Sequence, residues 1–329
     1  MTSQEQGSLP GSVSRWKLWG QLIRLPTSMT LLADALAAVA VSQCEYPWRA
    51  VGILLPASLA IYWAGMILND WFDVAKDRQQ RSRRPLASGA IGLNQAAMAG
   101  WGLLLFAMIW TIAATIFVKE EGFDSKASGT VVLWCLSLIA AVVLYDGPLK
   151  KTILAPWLMG VCRGLHWMFA FSLIQVVGGA VGLQLPKIAY VIAIIMTLYV
   201  AGVTWFARRE ADAKPSTSLL LFGSTLMVAA LATLASLPWW LNQWIPEAQE
   251  NSMFGLLVAM SGVLLGRRLL TAIGDPRPET IQLGVKQSLL SLILLDAYLG
   301  YWWSGSFWGA GIAMLMVPAI WLGGKFRTT

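Results

Sequence analysis

The residues best suited to chemistry lie in one stretch, NDWFDVAKD, Asn69 to Asp77, which closes a long apolar run. On a helix turning about 100° per residue, Asn69, Asp70, Asp73 and Asp77 fall within an arc of roughly 100°. Three carboxylates and one amide then share a face, and like charges that close repel one another. A divalent cation relieves the repulsion, and so do the arginines of RQQRSRRPLASG, which follows at once. The plainer reading is a solvated helix end with Asp77 paired to Arg81 at i, i+4. The position where apolar chain meets water favours a metal site instead. Carboxylates beside several arginines suit Mg²⁺ bridged to a phosphate-bearing ligand, because Mg²⁺ takes few protein oxygens and completes its shell with phosphate and water. Arg78 and Arg81 serve equally well as anchors to lipid headgroups. Arg83 and Arg84, just ahead of Pro85, are the candidates to hold phosphate oxygens.

Three further groups stand near the ends or middles of other apolar runs. Tyr145, Asp146, Lys150 and Lys151 belong to YDGPLKKT, where Gly147 and Pro148 break a helix and the lysines can reach back; an anchoring belt of Tyr and Lys explains them almost as well. Arg163 lies about ten residues into its run, on the order of 15 Å from the end, too deep to snorkel. It needs a polar cavity or an acid, and Asp34 and Asp296 lie at comparable depth. His166 falls one turn from Arg163, either as a proton acceptor or as a satisfied hydrogen-bonding residue. Glu210 and Asp212, in WFARREADAKPS, are candidates for a second metal-binding set. They stand about 200° apart on a regular helix and chelate one ion only if the helix unwinds before Pro215; Asp212 pairs as readily with Arg208.

The elements that position these residues follow from composition. Apolar residues make up 57% of 329 and charged ones 12%, about half the charged share of a soluble domain, so this is a polytopic membrane protein. The apolar runs lack strict alternation, so the spans are helices and the fold class is all-α. Spans are expected near 27–43, 50–69, 93–118, 130–145, 153–177, 188–207, 216–241, 252–271 and 283–303, with a Gly-rich tenth run, 306–323, that spans or re-enters. The division is a tail over 1–26, a transmembrane domain over 27–323 and a C-terminal tail over 324–329. No cleaved signal peptide is expected, and the isolated Cys44, Cys135 and Cys162 form no disulfide or metal pattern.

Most Lys and Arg fall in the N-terminal tail and after the even-numbered spans, leaving only Arg49, Lys119, Lys126 and Lys187 opposite. The positive-inside rule places the tail and even loops in the cytoplasm, in an inner or plasma membrane. The net charge of +7 is thereby explained without nucleic acid as a partner. All the polar groups at span ends share that one membrane face, as a site built from several helices requires.

These residues resemble the UbiA superfamily of intramembrane prenyltransferases. NDWFDVAKD reads as that family's NDxxDxxxD and RRPLASG as its RPLxSG; the likeness extends to the Tyr and Lys after span four, to MGVCRGL and to the acidic end of span six. CRGL with a GVTxFxRxEA ending is most similar to the UbiA-like proteins encoded in Ebo gene clusters. The resemblance implies a helical bundle around a central cavity and Mg²⁺-dependent transfer of a prenyl group from an isoprenoid diphosphate to an aromatic or other lipophilic acceptor. Pyrophosphate would be released. It implies Asp70, Asp73, Asp77, Glu210 and Asp212 as metal ligands, Asn69, Arg83, Arg84, Lys150, Lys151 and Arg163 as substrate contacts, and Tyr145 near the scissile bond. Asp70, Asp73, Tyr145 and Glu210 would be the catalytic set. The family's second motif commonly has two Asp separated by three residues, and Glu210 with Asp212 departs from it. A non-catalytic isoprenoid-binding or carrier protein on the same fold is the alternative. A transporter relay through Asp34, Arg163 and Asp296 is a third reading, unsupported by any inverted repeat.

Overall fold

The computed structural model describes residues 14–117, 125–177, 185–208, 216–241 and 252–326. An amphipathic helix α1 (Arg15–Leu22) and a 3₁₀ turn (Leu25–Thr27) lead into α2 (Ser28–Ser42). There follow α3 (Pro47–Phe72), the short α4 (Val74–Gln80), α5 (Leu93–Phe117), α6 (Ser125–Asp146), α7 (Ala155–Val177), α8 (Lys187–Ala207), α9 (Thr217–Trp240), α10 (Ser252–Gly274) and α11 (Pro278–Ser304). Then α12 (Ser306–Ala313) and α13 (Met316–Lys325) close the chain. No strand occurs among the described residues. Helices satisfy every backbone group internally, which lipid demands.

Ten segments are long and apolar enough to cross a membrane, the turn with α2 counting as the first and α12 with α13 as the tenth. The protein is thus an all-α integral membrane bundle. Consecutive spans pack side by side, and α11 returns against α2 to close the ring. The most enclosed span is α7, which touches α2, α3, α6 and α8. Its contact with α8 depends on Gly160 and Gly164: a Cβ on either would collide with Thr197. Small residues one turn apart are how membrane helices approach closely.

The tenth run crosses rather than re-enters. Near its start Trp308 stacks on Trp48 with ring centroids 5.6 Å apart, beside the end of α2. Near its end Phe326 packs edge-on against Trp16 of α1 at 5.3 Å, and Lys325 Nζ lies 5.0 Å over the same Trp16 ring. Its ends therefore touch opposite ends of the bundle. The break between α12 and α13 has a local cause in Pro318, which has no N–H to give the Met314 carbonyl. Val317 N takes that carbonyl instead, at 3.1 Å, in a tighter turn.

Candidate functional site

The acidic stripe lies where α3 passes into α4. Asp73 interrupts the helix with φ −89° and ψ −1°, yet Asp73 N still donates to Asn69 O at 3.2 Å and Asp77 N to Asp73 O at 2.9 Å. The helical register therefore survives the joint, and the carboxylates stay on one side. Asp70 and Asp77 are buried, 6% and 5% exposed, and Asp73 is half-buried. They face the protein, not bulk solvent.

The chain folds back to meet them. Arg84 N bonds to Arg81 O and Ser88 N to Arg84 O, a turn that ends at Gly89 with φ +78°, a conformation glycine adopts without penalty. Leu86, buried beside Leu22, Ile67, Ile91 and Ala96, pins the turn to α1, α3 and α5. Arg84 Nη1 is thereby placed 2.9 Å from Asp70 Oδ1 and 2.8 Å from Asp77 Oδ2. Asp77 thus pairs with Arg84 rather than with Arg81 at i, i+4. Arg78, Arg81 and Arg83 are exposed. Arg24, between α1 and the 3₁₀ turn, adds a guanidinium 3.6 Å from Asp70 Oδ1 and holds a left-handed backbone, φ 48°.

The end of α6 supplies the opposite wall. Gly147 and Pro148 terminate the helix, and Leu149 N returns to Leu144 O at 3.0 Å. Lys150 Nζ lies 2.7 Å from Asp73 Oδ2 and 3.3 Å from Asn69 O, the carbonyl that also accepts from Asp73 N. Asn69 Nδ2 donates to Asp146 Oδ1 at 2.7 Å, which turns the amide oxygen of Asn69 away from Asp146. Tyr145 is half-buried beside this contact and Lys151 is exposed. The structure therefore gathers Asn69, Asp70, Asp73, Asp77, Arg84 and Lys150 into one rim. It leaves Arg83 and Lys151 on the surface of the same end. Arg24 and Asp146 join the rim although sequence spacing singled out neither for a role.

Glu210 and Asp212 lie outside the described residues. The last described residue before them, Arg208, donates from Nη2 to Thr152 O at 2.9 Å. The end of the sixth span is thereby held beside the turn after the fourth.

Hard carboxylate oxygens are of the kind Mg²⁺ selects. Arg84 takes one oxygen of Asp70 and one of Asp77, so each carboxylate keeps another. Among the described residues no three His, Cys, Asp or Glu are grouped so as to hold an ion; Arg84 bridges Asp70 and Asp77, and Lys150 pairs with Asp73. The rim fits a cation in chemistry, with those two basic residues already supplying part of the compensation.

Arg163 belongs to a separate cluster inside the bundle. Its Nε is 2.6 Å from Asp34 Oδ2, its Nη2 3.0 Å from Thr30 O and 3.9 Å from Asp296 Oδ2, and its Nη1 3.4 Å from Thr30 Oγ1. Both Nη atoms donate hydrogen bonds to Thr30, while Nε meets Asp34 as an ion pair without a hydrogen bond. His166 Nδ1 stands 3.3 Å from the same Asp34 oxygen and its Nε2 3.0 Å from Ser58 Oγ.

Comparison with known proteins agrees with this architecture. The UbiA prenyltransferase family model matches residues 29–281. A curated relative, the 4-hydroxybenzoate octaprenyltransferase of Acidovorax ebreus (strain TPSY), is 24% identical over 168 residues, 49% of this chain and 53% of that protein. The chain thus spans about half the length of that relative. A solved digeranylgeranylglyceryl phosphate synthase superposes with a TM-score of 0.60 at 17% identity, covering 88% of this chain and 98% of the other. A UbiA homolog from Archaeoglobus fulgidus bound to DMAPP and Mg²⁺ gives 0.59 at 13% identity, covering 90% and 99%. An apo UbiA homolog from Aeropyrum pernix K1 gives 0.57 at 16%, covering 87% and 98%. These likenesses show a common fold, and with the match over most of its length the chain belongs to the UbiA prenyltransferase family.

Proposed function

We propose that this protein transfers a prenyl group from an isoprenoid diphosphate to an aromatic or other lipophilic acceptor in the membrane, with Mg²⁺ and with release of pyrophosphate. The observation that carries the reading is the rim itself: Asp70, Asp73 and Asp77 on one side, facing Arg84 and Lys150. Its relatives point the same way, since one is a prenyltransferase and another is bound to DMAPP and Mg²⁺.

Asp70, Asp73 and Asp77 would hold the cation, and Mg²⁺ when bound would neutralise charge developing on the departing diphosphate. Arg84 and Lys150, already lodged against those carboxylates, would turn towards phosphate oxygens and fix their position. Asp146 holds the Asn69 amide so that its oxygen stays available to the rim. Tyr145, beside Asp146, would lie next to the scissile bond. Arg83 and Lys151, exposed at the same end, would attract the anionic substrate. Glu210 and Asp212 would complete a second metal set. The apolar spans exclude water, so the acceptor rather than water would capture the allylic cation. The rim and both chain termini would face the cytoplasm in an inner or plasma membrane.

Release of pyrophosphate from a prenyl diphosphate, measured with purified protein and a panel of acceptors, tests the assignment. Asp70→Asn and Asp73→Asn should abolish release while the protein stays folded; turnover retained in both would refute it. Arg84 already bridging two of the acids favours a second reading, a non-catalytic isoprenoid-binding or carrier protein. That reading predicts Mg²⁺-dependent binding of prenyl diphosphate with no product from any acceptor.

A further inference from the structure

The cluster around Arg163 shares no acid with the rim and carries an unbalanced charge. Asp34 from α2 is 1% exposed and Asp296 from α11 is fully enclosed. Two carboxylates and one guanidinium leave one negative charge in the interior of an apolar bundle, where an uncompensated ion is heavily penalised. The hydrogen-bond ledger repeats the deficit. None of the four oxygens of Asp34 and Asp296 accepts a hydrogen bond, and Arg163 Nε and His166 Nδ1, close to Asp34 Oδ2, donate none. Both carboxyl groups converge on Arg163, Asp34 Oδ2 at 2.6 Å from Nε and Asp296 Oδ2 at 3.9 Å from Nη2, yet ionised carboxylates bring only acceptors to one another. One small positive ligand between them would cancel the charge and give those oxygens a partner.

We propose that Asp34 and Asp296 form an intramembrane site for a single cation, and that the cation is a proton shared between the two carboxylates. The groups facing it are Arg163 and His166 from α7, Thr30 from α2 itself and Ser58 from α3, with Tyr62 of α3 within electrostatic reach of Arg163. With one proton on the pair, the remaining negative charge balances Arg163. Ser58, His166 and Asp34 stand in the order of a nucleophile, base and acid, but Ser58 is 1% exposed and no substrate can reach its hydroxyl. The arrangement suits a held proton, not acyl transfer.

The site does not depend on the proposed activity, although it is wired to the rim. Arg163 meets Thr30 Oγ1, Thr30 Oγ1 donates to Thr27 O at 2.9 Å, Thr27 Oγ1 donates to Arg24 O at 2.8 Å, and Arg24 pairs with Asp70. Loss of the proton would therefore strain the same run of residues that seats Arg24.

The test uses the full-length protein, purified without diphosphate, and follows thermal unfolding of the wild type and Asp296→Asn between about pH 6 and about pH 9. The folded wild type keeps a proton that an unfolded carboxylate has already released, so its stability falls as pH rises. Relative to Asp296→Asn, which has no proton to lose, the folding equilibrium should fall about tenfold per pH unit. Parallel curves would overturn the proposal. If Asp296→Asn does not fold, infrared spectroscopy of the wild type and Asp146→Asn decides: after ¹³C labelling of aspartate, a buried carboxylic acid should give in both an isotope-shifted carbonyl band that persists at about pH 9. Its absence overturns the proposal. A pH slope that vanishes in His166→Gln but survives in Asp296→Asn places the proton on the imidazole and overturns the paired site. Stabilisation of the wild type, and not of Asp296→Asn, by sodium over a bulky organic cation names an alkali ion instead and overturns the proton.

Discussion

Lys150 reaches across from the turn after the fourth span to Asp73 at the end of the second, with Nζ 2.7 Å from Oδ2. Both side chains are partly open, 20% and 23% exposed, so the pair itself should contribute no more than about 1 kcal/mol to stability. Its value to a phosphate-binding rim is larger. Lys150→Ala should leave the unfolding midpoint almost unchanged while lowering turnover on the order of 10²-fold. Parallel measurement of the two separates the roles, and a variant that unfolds early without losing turnover would make Lys150 a structural latch only.

Arg84 is about as open as Lys150 but serves two acids at once, and the side chains of those acids are themselves buried, 8% and 6% exposed. Its removal in Arg84→Ala leaves Asp70 and Asp77 buried and facing each other with less compensation, a change that costs about 3–5 kcal/mol when a buried partner is lost outright. Added Mg²⁺ should restore part of that stability and should raise the midpoint of the variant more than that of the wild type. Equal response to Mg²⁺ and to a chelator in both proteins would show that no cation visits the carboxylates.

The α7–α8 contact offers a test remote from the rim. Gly160→Leu forces a side chain against the Thr197 carbonyl and should destabilise by about 1–3 kcal/mol, as overpacking does. Gly52 has open space where a Cβ would go, so Gly52→Ala should be nearly neutral. Similar losses in both would mean that close approach to Thr197 does not set the cost, since helix propensity alone favours either substitution over Gly.

Topology is testable by labelling. In sealed vesicles a single cysteine introduced at exposed Arg83 should react with an impermeant maleimide from one side, and native Cys44, in the turn between the first two spans, from the other. Reaction of both from the same face would contradict a crossing by the second span.

Much of the bundle was legible because lipid leaves the backbone few choices: the spans follow from apolar runs, and their observed bounds lie close to those expected. The ninth span, α11, starts at Pro278, earlier than position 283, because Thr280 caps its first turn through Arg277 N at 3.2 Å and carries polar sequence into the helix. Periodicity alone cannot see that cap. The need to compensate the Asn69–Asp77 stripe was equally legible, but not the partner. Arg84 meets Asp77 only because a turn through Pro85 reverses the chain, whereas spacing pointed to Arg81. Arg24 and Asp146 enter through contacts between distant segments; the available hints were a basic residue just ahead of the first span and a carboxylate at a Gly-Pro break. For Arg163, depth in its span pointed correctly to Asp34 and Asp296.

Because Phe326 seats its ring where Gly20 has no side chain, the first and last helices of the polypeptide are stitched together at one spot. A short peptide bridge there, with a new opening cut into an exposed connection elsewhere, should yield a circularly permuted protein that assembles the same ring of helices.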